Sequence, residues 1–180
     1  RVLPYLYSTG YETVRDGVPM MRAMLLEFDE IGCEDLDRQY MLGDAILVAP
    51  VLREDGAVDY YLPQGKWTHL LTGETLEGHG WRRDTYDFFS LPVYVRENTI
   101  LPVGSYAERP EYDYADGLTL RLYQFADGAV AERTVCDTEG NVILSAKASR
   151  QGDIITVTLT GRKEKVSLEQ IGTDCRLVVE

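Results

Sequence analysis

Three carboxylates have a topological reason to do chemistry. Glu27 stands near the C-terminal end of a nearly unbroken apolar run, Met20 to Phe28, and Asp29 and Glu30 lie just beyond it. Active sites of parallel α/β folds collect at the carboxyl ends of strands, so these three are the acids best placed for proton transfer or nucleophilic attack. Hydrogen-bonded loop residues or charges at a rim are the plainer roles for the same side chains. Asp35 and Asp37 suit a helix N-terminus, where the macrodipole favours negative charge. His69 and His79 stand ten apart in turn-rich sequence, and a metal would need more ligands than this pair offers. Cys33, Cys136 and Cys175 have no metal-like spacing and are odd in number, which fits reduced thiols in a cytoplasmic protein. There is no phosphate loop, G-x-G-x-x-G, G-x-S-x-G or H-E-x-x-H. Neither metal nor organic cofactor is expected.

Aromatic side chains offer a different chemistry, since sugar faces stack on rings. Trp67, Trp81, Tyr86, Phe88 and Phe89 are the candidates. Aromatic residues in short strands more often fill a core, and that is the expected role of these five. Tyr60 and Tyr61 are adjacent and must face opposite sides of their strand, so at most one points inward.

The elements that would position these residues follow from composition and periodicity. The chain has 180 residues, 44% hydrophobic and 27% charged, which excludes disorder. Eighteen basic against thirty acidic side chains leave a charge of −12, which disfavours nucleic acid and anionic membrane surfaces as partners. No apolar run approaches the ~20 residues of a membrane helix. Leu3, Tyr7, Tyr11 and Val14 recur at helical spacing, predicting a helix over Val2 to Asp16 that stops at Gly17 before Pro19. Met20 to Phe28 reads as a buried strand of a parallel sheet, and Asp35 to Leu42 as a short helix ended by Gly43. This helix–strand–helix unit cannot close a sheet by itself. From Ala45 the pattern becomes short strands (Ala45 to Val51, Val58 to Leu62) with turn signals at Pro63-Gln64-Gly65, Thr72-Gly73 and Gly78-His79-Gly80. Pro92 and Pro102 bracket Val93 to Leu101 and mark strand edges or bends. Ser105 to Gly117 reads as a linker. After it, Leu118 to Phe125 alternates, and turns at Asp127-Gly128, Gly140-Asn141 and Gly152-Asp153 separate strands such as Val142 to Ala148 and Ile154 to Thr160, a meander of hairpins.

Several consecutive motifs carry a resemblance. Val18-Pro19-Met20-Met21-Arg22, Leu25-Leu26-Glu27-Phe28 and Asp37-Arg38-Gln39-Tyr40-Met41-Leu42-Gly43-Asp44, leading into Leu47-Val48-Ala49-Pro50-Val51, resemble the end of the catalytic barrel in glycoside hydrolase family 31. Leu62-Pro63-Gln64-Gly65-Lys66-Trp67, Thr72-Gly73-Glu74, Leu91-Pro92-Val93-Tyr94-Val95-Arg96 and Ile100-Leu101-Pro102-Val103-Gly104 are similar to that family's proximal C-terminal sandwich. Beyond Gly104, Arg109-Pro110, Leu118 to Leu122, Asp127-Gly128 and Ile154 to Thr158 resemble the α-xylosidase branch. Ala23 departs from the proline that usually follows the arginine, and Ile31-Gly32 from a more acidic, proline-bearing loop.

The resemblance implies a mainly β fold: an antiparallel β-sandwich (residues 45–104), a smaller distal β-meander domain (105–180), and before them a helix–strand–helix remnant of a (β/α)8 barrel (1–44). It implies the C-terminal portion of a retaining α-glycosidase, most simply an α-xylosidase, with an α-glucosidase as the alternative. Two carboxyl groups about 5–5.5 Å apart carry that chemistry. In the family both come from earlier barrel strands, so no residue here is assigned a catalytic role and the piece alone is expected to be inactive. The implied partners are the remainder of its own barrel and, for the parent, an oligosaccharide. A carbohydrate-binding accessory module and a homo-oligomer contact remain rival roles.

Overall fold

The computed structural model describes residues 1–30 and 32–180; Ile31, one of the departures from the family pattern, lies outside the described residues. The chain divides into two compact units, residues 19–97, and residues 1–18 together with 98–180. The boundaries expected at 44/45 and 104/105 therefore fall inside units. Both units are mainly β.

Residues 19–97 form a six-stranded sheet from β1 (Met21–Arg22), β2 (Tyr40–Leu42), β3 (Ile46–Val48), β4 (Ala57–His69), β5 (Thr75–Thr85) and β6 (Val93–Arg96), in the order β1-β2-β3-β6-β4-β5. Every pairing in it is antiparallel. The apolar run at 45–51 is explained by β3, which is buried at all three residues. Gly73, at φ +77°, closes the β4–β5 hairpin and donates its N–H to the His69 carbonyl at 2.8 Å, as the Thr72-Gly73 signal predicts. The two flanking signals are not turns. Leu62 pairs with Gly80 and Gly65 with Gly78, so Pro63 and Gln64 stand opposite the single residue His79 in a β-bulge. Proline suits that place because it has no N–H to give the ladder.

Two expectations for the opening segment are overturned. Met20 to Phe28 is not a parallel buried strand. Only Met21 and Arg22 are extended, paired antiparallel with Leu42 and Met41, and a 3₁₀ turn over Met24–Leu26 follows. The backbone groups that a neighbouring strand would have satisfied bond locally instead, Leu26 N–H to Ala23 O and Phe28 N–H to Met24 O, both at 2.9 Å. Met24 and Phe28 are buried, whereas Met21, Leu25 and Leu26 are exposed. The helix expected over Asp35 to Leu42 is a 3₁₀ turn at Cys33–Asp35 followed by β2, because Met41 points into the core between two half-buried neighbours, a period-two pattern. Gly43, at φ +63°, lies between β2 and β3 rather than stopping a helix. Trp67, Tyr60, Leu62, Phe28, Met41 and Leu47 belong to the core of this unit.

The other unit begins with α1 (Leu3–Asp16), close to its expected span, ended by Gly17 in the left-handed region with its N–H on the Thr13 carbonyl. Its strands are β7 (Thr99–Val103), β8 (Thr119–Tyr123), β9 (Val130–Cys136), β10 (Val142–Gln151), β11 (Ile154–Gly161), β12 (Ser167–Ile171) and β13 (Arg176–Val179). They form two sheets, β12-β8-β7 and β13-β11-β10-β9. The meander β9–β10–β11 has its turns where Gly140 and Gly152 take positive φ. Pro102 lies on the edge strand β7. Two pairings are parallel, β12 with β8 and β13 with β11, which the hairpin reading did not include. Ser8 fastens α1 to β9: its hydroxyl donates to Pro4 O at 2.7 Å and accepts the Cys136 N–H at 2.9 Å. Residues 105–117 are no solvated linker. Tyr106, Tyr112 and Tyr114 form a chain of tilted rings 5.0 and 4.8 Å apart that continues to Tyr7. Tyr114 is buried and its hydroxyl donates to Pro110 O at 3.0 Å; burial pushes its pKa up to about 12.

Candidate functional site

The acids nearest the apolar run do not converge. The 3₁₀ turn that replaces the strand sends Glu27 to two arginines, Arg22 at 2.6 Å and Arg96 at 3.5 Å, and Arg96 also lies over the Phe28 ring at 4.8 Å. Glu30 accepts the Tyr61 hydroxyl at 3.1 Å and the Gln64 N–H at 2.9 Å, joining its loop to the bulge of β4. Asp29 is exposed. Asp35 ends a 3₁₀ turn and Asp37 is exposed beyond it; no helix follows for either to cap. Among the described residues no three His, Cys, Asp or Glu side chains are grouped to hold a metal ion. Cys33, Cys136 and Cys175 are free and buried, and burial raises the pKa of the first two.

His69 is a core residue. Its Nδ1 accepts the N–H groups of Leu71 and Thr72 at 3.3 Å, and its ring meets Tyr94 edge-on at 4.9 Å. Burial lowers its pKa. Beside it, the Tyr60 hydroxyl donates to Asp84 at 2.6 Å and accepts from the Tyr94 hydroxyl at 2.8 Å, which leaves Tyr86 to donate to the same Tyr94 oxygen at 3.3 Å. Desolvation and these hydrogen bonds drive the Tyr60 pKa far above its ordinary value, and Tyr86 follows for the same reasons.

The five candidate aromatics separate. Trp67 is 1% exposed and its indole N–H donates to Pro63 O at 2.8 Å, so it is core, and Tyr86 is half-buried. Trp81, Phe88 and Phe89 are 66%, 96% and 88% exposed, against the expectation of a core role. Tyr60 is buried while Tyr61 takes the opposite face, as their adjacency requires. Tyr61 pairs across the hairpin with Trp81, their rings in edge contact at 5.9 Å. Trp81 is thereby brought to a cleft of about 360 Å³ whose lining includes Asp37, Arg38, Gln39, Arg53 and Asp59. Gln39 is fixed there by two hydrogen bonds to the Tyr61 backbone, at 2.7 and 2.8 Å. Sequence reasoning named Trp81 but missed its polar neighbours, which come from three separate stretches. The available signal was the pair Tyr60-Tyr61, which tells which face of β4, and hence of β5, looks away from the core.

Comparison with known proteins agrees with this architecture. Residues 17–101 match the glycosyl hydrolase family 31 C-terminal domain, and residues 113–178 match the C-terminal domain of the alpha-xylosidase YicI. The alpha-xylosidase XylQ of Lactiplantibacillus pentosus is 38% identical over 168 residues, covering 89% of this chain and 22% of that protein. An alpha-glucosidase of Saccharolobus solfataricus is 33% identical over 104 residues, 57% of this chain and 15% of its own length. Among solved structures, a cycloalternan-forming enzyme from Listeria monocytogenes, in complex with a pentasaccharide substrate, superposes with a TM-score of 0.70 at 28% identity, covering 83% of this chain and 15% of that one. The chain thus spans about a fifth of the length of the first of these relatives. Both matches are to C-terminal domains of glycoside hydrolases. The chain belongs to glycosyl hydrolase family 31, and its second half matches the C-terminal domain of an alpha-xylosidase of that family.

Proposed function

We propose that this chain is the C-terminal part of a retaining α-xylosidase that removes terminal α-linked xylose from oligosaccharides, with both catalytic carboxyl groups supplied by barrel residues outside it. The observation that carries this reading is 38% identity with an alpha-xylosidase across 89% of the chain, both units included; alpha-glucosidases match at 33% identity over 57% of the chain and at 27% over 77%. The site geometry supports the placement of catalysis elsewhere. A retaining mechanism needs a nucleophile and a proton donor about 5–5.5 Å apart, the donor sheltered enough to stay protonated near neutral pH. Glu27 and Glu30 are engaged by neighbours, and Asp35, Asp37 and Asp59 around the cleft are exposed, Asp37 with Arg38 at 3.9 Å and Asp59 with Arg83 at 3.6 Å.

The work of the chain itself is structural. Met21, Leu25, Leu26, Phe88 and Phe89 leave residues 19–97 with apolar surface in water, the kind of surface that marks a partner, and the partner proposed is the barrel of the same enzyme. Three free buried thiols support a reducing, cytoplasmic setting. The test is a chromogenic α-xyloside added to the purified chain and to the same chain extended through the upstream barrel. The first gives no turnover and the second hydrolyses; hydrolysis by the chain alone overturns the assignment. A preference of the extended enzyme for the α-glucoside replaces the sugar and keeps the family.

A further inference from the structure

We infer that the cleft beside Trp81 is a binding subsite for a neutral saccharide, separate from the reaction proposed above. The apolar surface elsewhere on this unit has different company. Phe88 and Phe89 pack edge-on against each other at 5.6 Å, almost fully exposed, an arrangement suited to a protein partner. Trp81 instead shares a concave cleft with apolar side chains, Leu36, Pro50 and Leu52, and with hydrogen-bonding ones. One wall is its indole, 66% exposed and steadied at the edge by Tyr61, whose hydroxyl is held by Glu30. Asp37, Arg38, Arg53 and Asp59 line the same cleft with exposed carboxylate and guanidinium groups. A sugar ring has the matching amphipathic form: a flat C–H face for the indole, and equatorial hydroxyls that donate to carboxylates and accept from guanidinium groups.

Size and charge narrow the ligand. The volume of about 360 Å³ lies at the lower end of the roughly 300–1,000 Å³ typical of small-molecule sites, room for a short saccharide rather than a large cofactor. Three aspartates, Asp35, Asp37 and Asp59, line the cleft against two arginines, Arg38 and Arg53, on a chain of net charge −12. That balance opposes phosphorylated or carboxylated sugars and leaves neutral ones. The platform is rigid where it must be, since Gln39 ties the 37–39 segment to the β4 backbone beneath Tyr61.

The two tryptophans make the test direct. Trp67 is 1% exposed, so a water-borne quencher such as acrylamide reads Trp81. Methyl α-xyloside, methyl α-glucoside and maltotriose are each titrated into the full chain, with sorbitol at equal concentration as an acyclic polyol without a flat face. At least one pyranoside is expected to lower the quenching constant by about half while sorbitol leaves it unchanged. Saturation-transfer NMR on the same sugar should show its ring C–H protons receiving magnetisation from the protein. Trp81→Ala, at a position 66% exposed, should weaken that transfer and raise the dissociation constant at least about tenfold with the urea midpoint little changed, and Trp81→Phe should restore part of it. Equal protection by sorbitol and the pyranosides, no protection by any of them, or unchanged transfer in Trp81→Ala overturns the proposal. None of these outcomes bears on where the catalytic acids lie, which the turnover assay decides alone.

Discussion

Replacing Gly78 with alanine should unfold residues 19–97 well before the parent sequence does, and the cost can be worked from the bulge. Gly78 sits on β5 opposite Gly65, its φ unremarkable, so space rather than backbone freedom demands glycine there. A Cβ at this position would run into the Pro63 carbonyl oxygen and stand 2.8 Å from Trp67 Nε1. Those two atoms are the partners of a buried hydrogen bond, 2.8 Å long. The methyl group therefore forces apart a pair that has no water to fall back on. Overpacking of a tight site costs roughly 1–3 kcal/mol. Leaving a buried donor and acceptor unpaired adds about 1–3 kcal/mol. Alanine returns about 0.4–1 kcal/mol by restricting the unfolded chain. Because one displacement of Trp67 relieves part of the clash while breaking the bond, the two penalties overlap, and a net loss of about 2–4 kcal/mol is expected.

The assay follows from where the tryptophans are. Trp67 and Trp81 are the two in the chain and both lie in residues 19–97, so their emission during a urea titration reports that unit. With a slope of roughly 1–3 kcal/mol per molar urea, the midpoint should fall by about 1 M or more at unchanged slope. Native emission should also shift to the red as Trp67 loses its closed environment. A midpoint within about 0.2 M of the parent, with unshifted emission, would mean that the strands open at the bulge at no cost, and would refute the reasoning.

Alkali should loosen the same unit: the Tyr60 and Tyr86 pKa values are raised on folding, so above about pH 10 the unfolded chain loses protons that the folded one keeps, and stability falls as pH rises. Tryptophan-detected urea midpoints at pH 8.5 and 10.5 measure this, and Tyr60→Phe should reduce the difference. At the acid end the sign reverses for His69, whose pKa burial depresses; below about pH 6.5 the unfolded imidazole binds protons first, so stability present above that pH is lost on acidification. A midpoint at pH 5.5 equal to that at pH 7.5 would contradict it. In the other unit, Arg133 is buried with its guanidinium over the Tyr5 ring at 5.2 Å and a hydrogen bond to the Ile100 carbonyl at 3.2 Å. Arg133→Ala should cost about 2–3 kcal/mol by circular-dichroism melting, and Arg133→Met, which keeps the apolar stem, less.

What could be read from the sequence followed from how local each signal is. Gly17 after a helical repeat, Gly73 between two strands, and Gly140 and Gly152 in the meander each specify a backbone conformation by themselves, and each appears where it was expected. Pro63-Gln64-Gly65 and Gly78-His79-Gly80 look like two independent turns along the chain and become one bulge only when the strands are paired, information that neither stretch contains. The parallel pairings of β12 and β13 were invisible for the same reason, since a parallel partner is never the neighbour in sequence. Residues 105–117 misled through composition. Proline, acids and tyrosines without a period suggest a solvated linker, yet three tyrosine rings packing on one another are enough to hold an irregular backbone in place. The cleft at Trp81 was not legible: the ring was expected in a core, and only folding turns it outward and assembles the charged residues around it.

The Met20 to Phe28 run bears most on function because its sequence pattern and its surroundings disagree. Met24 and Phe28 enter the core of residues 19–97, whereas Met21, Leu25 and Leu26 are about 60% exposed. Fully covering a side chain of this size is worth about 1.5–3 kcal/mol, so these three hold several kcal/mol that this unit does not collect. A solvated turn built for itself alone would carry polar residues at those positions, as β5 does along its exposed face with Glu77 and Arg83. The apolar residues are therefore the basis for the neighbour proposed for this run. Trp81 calls for a different explanation, because its cleft joins apolar side chains to charges that a protein surface would have to neutralise and a sugar would simply hydrogen-bond. One physical criterion, the polarity of what surrounds each exposed apolar group, thus underlies both proposals, a barrel against the first surface and carbohydrate at the second.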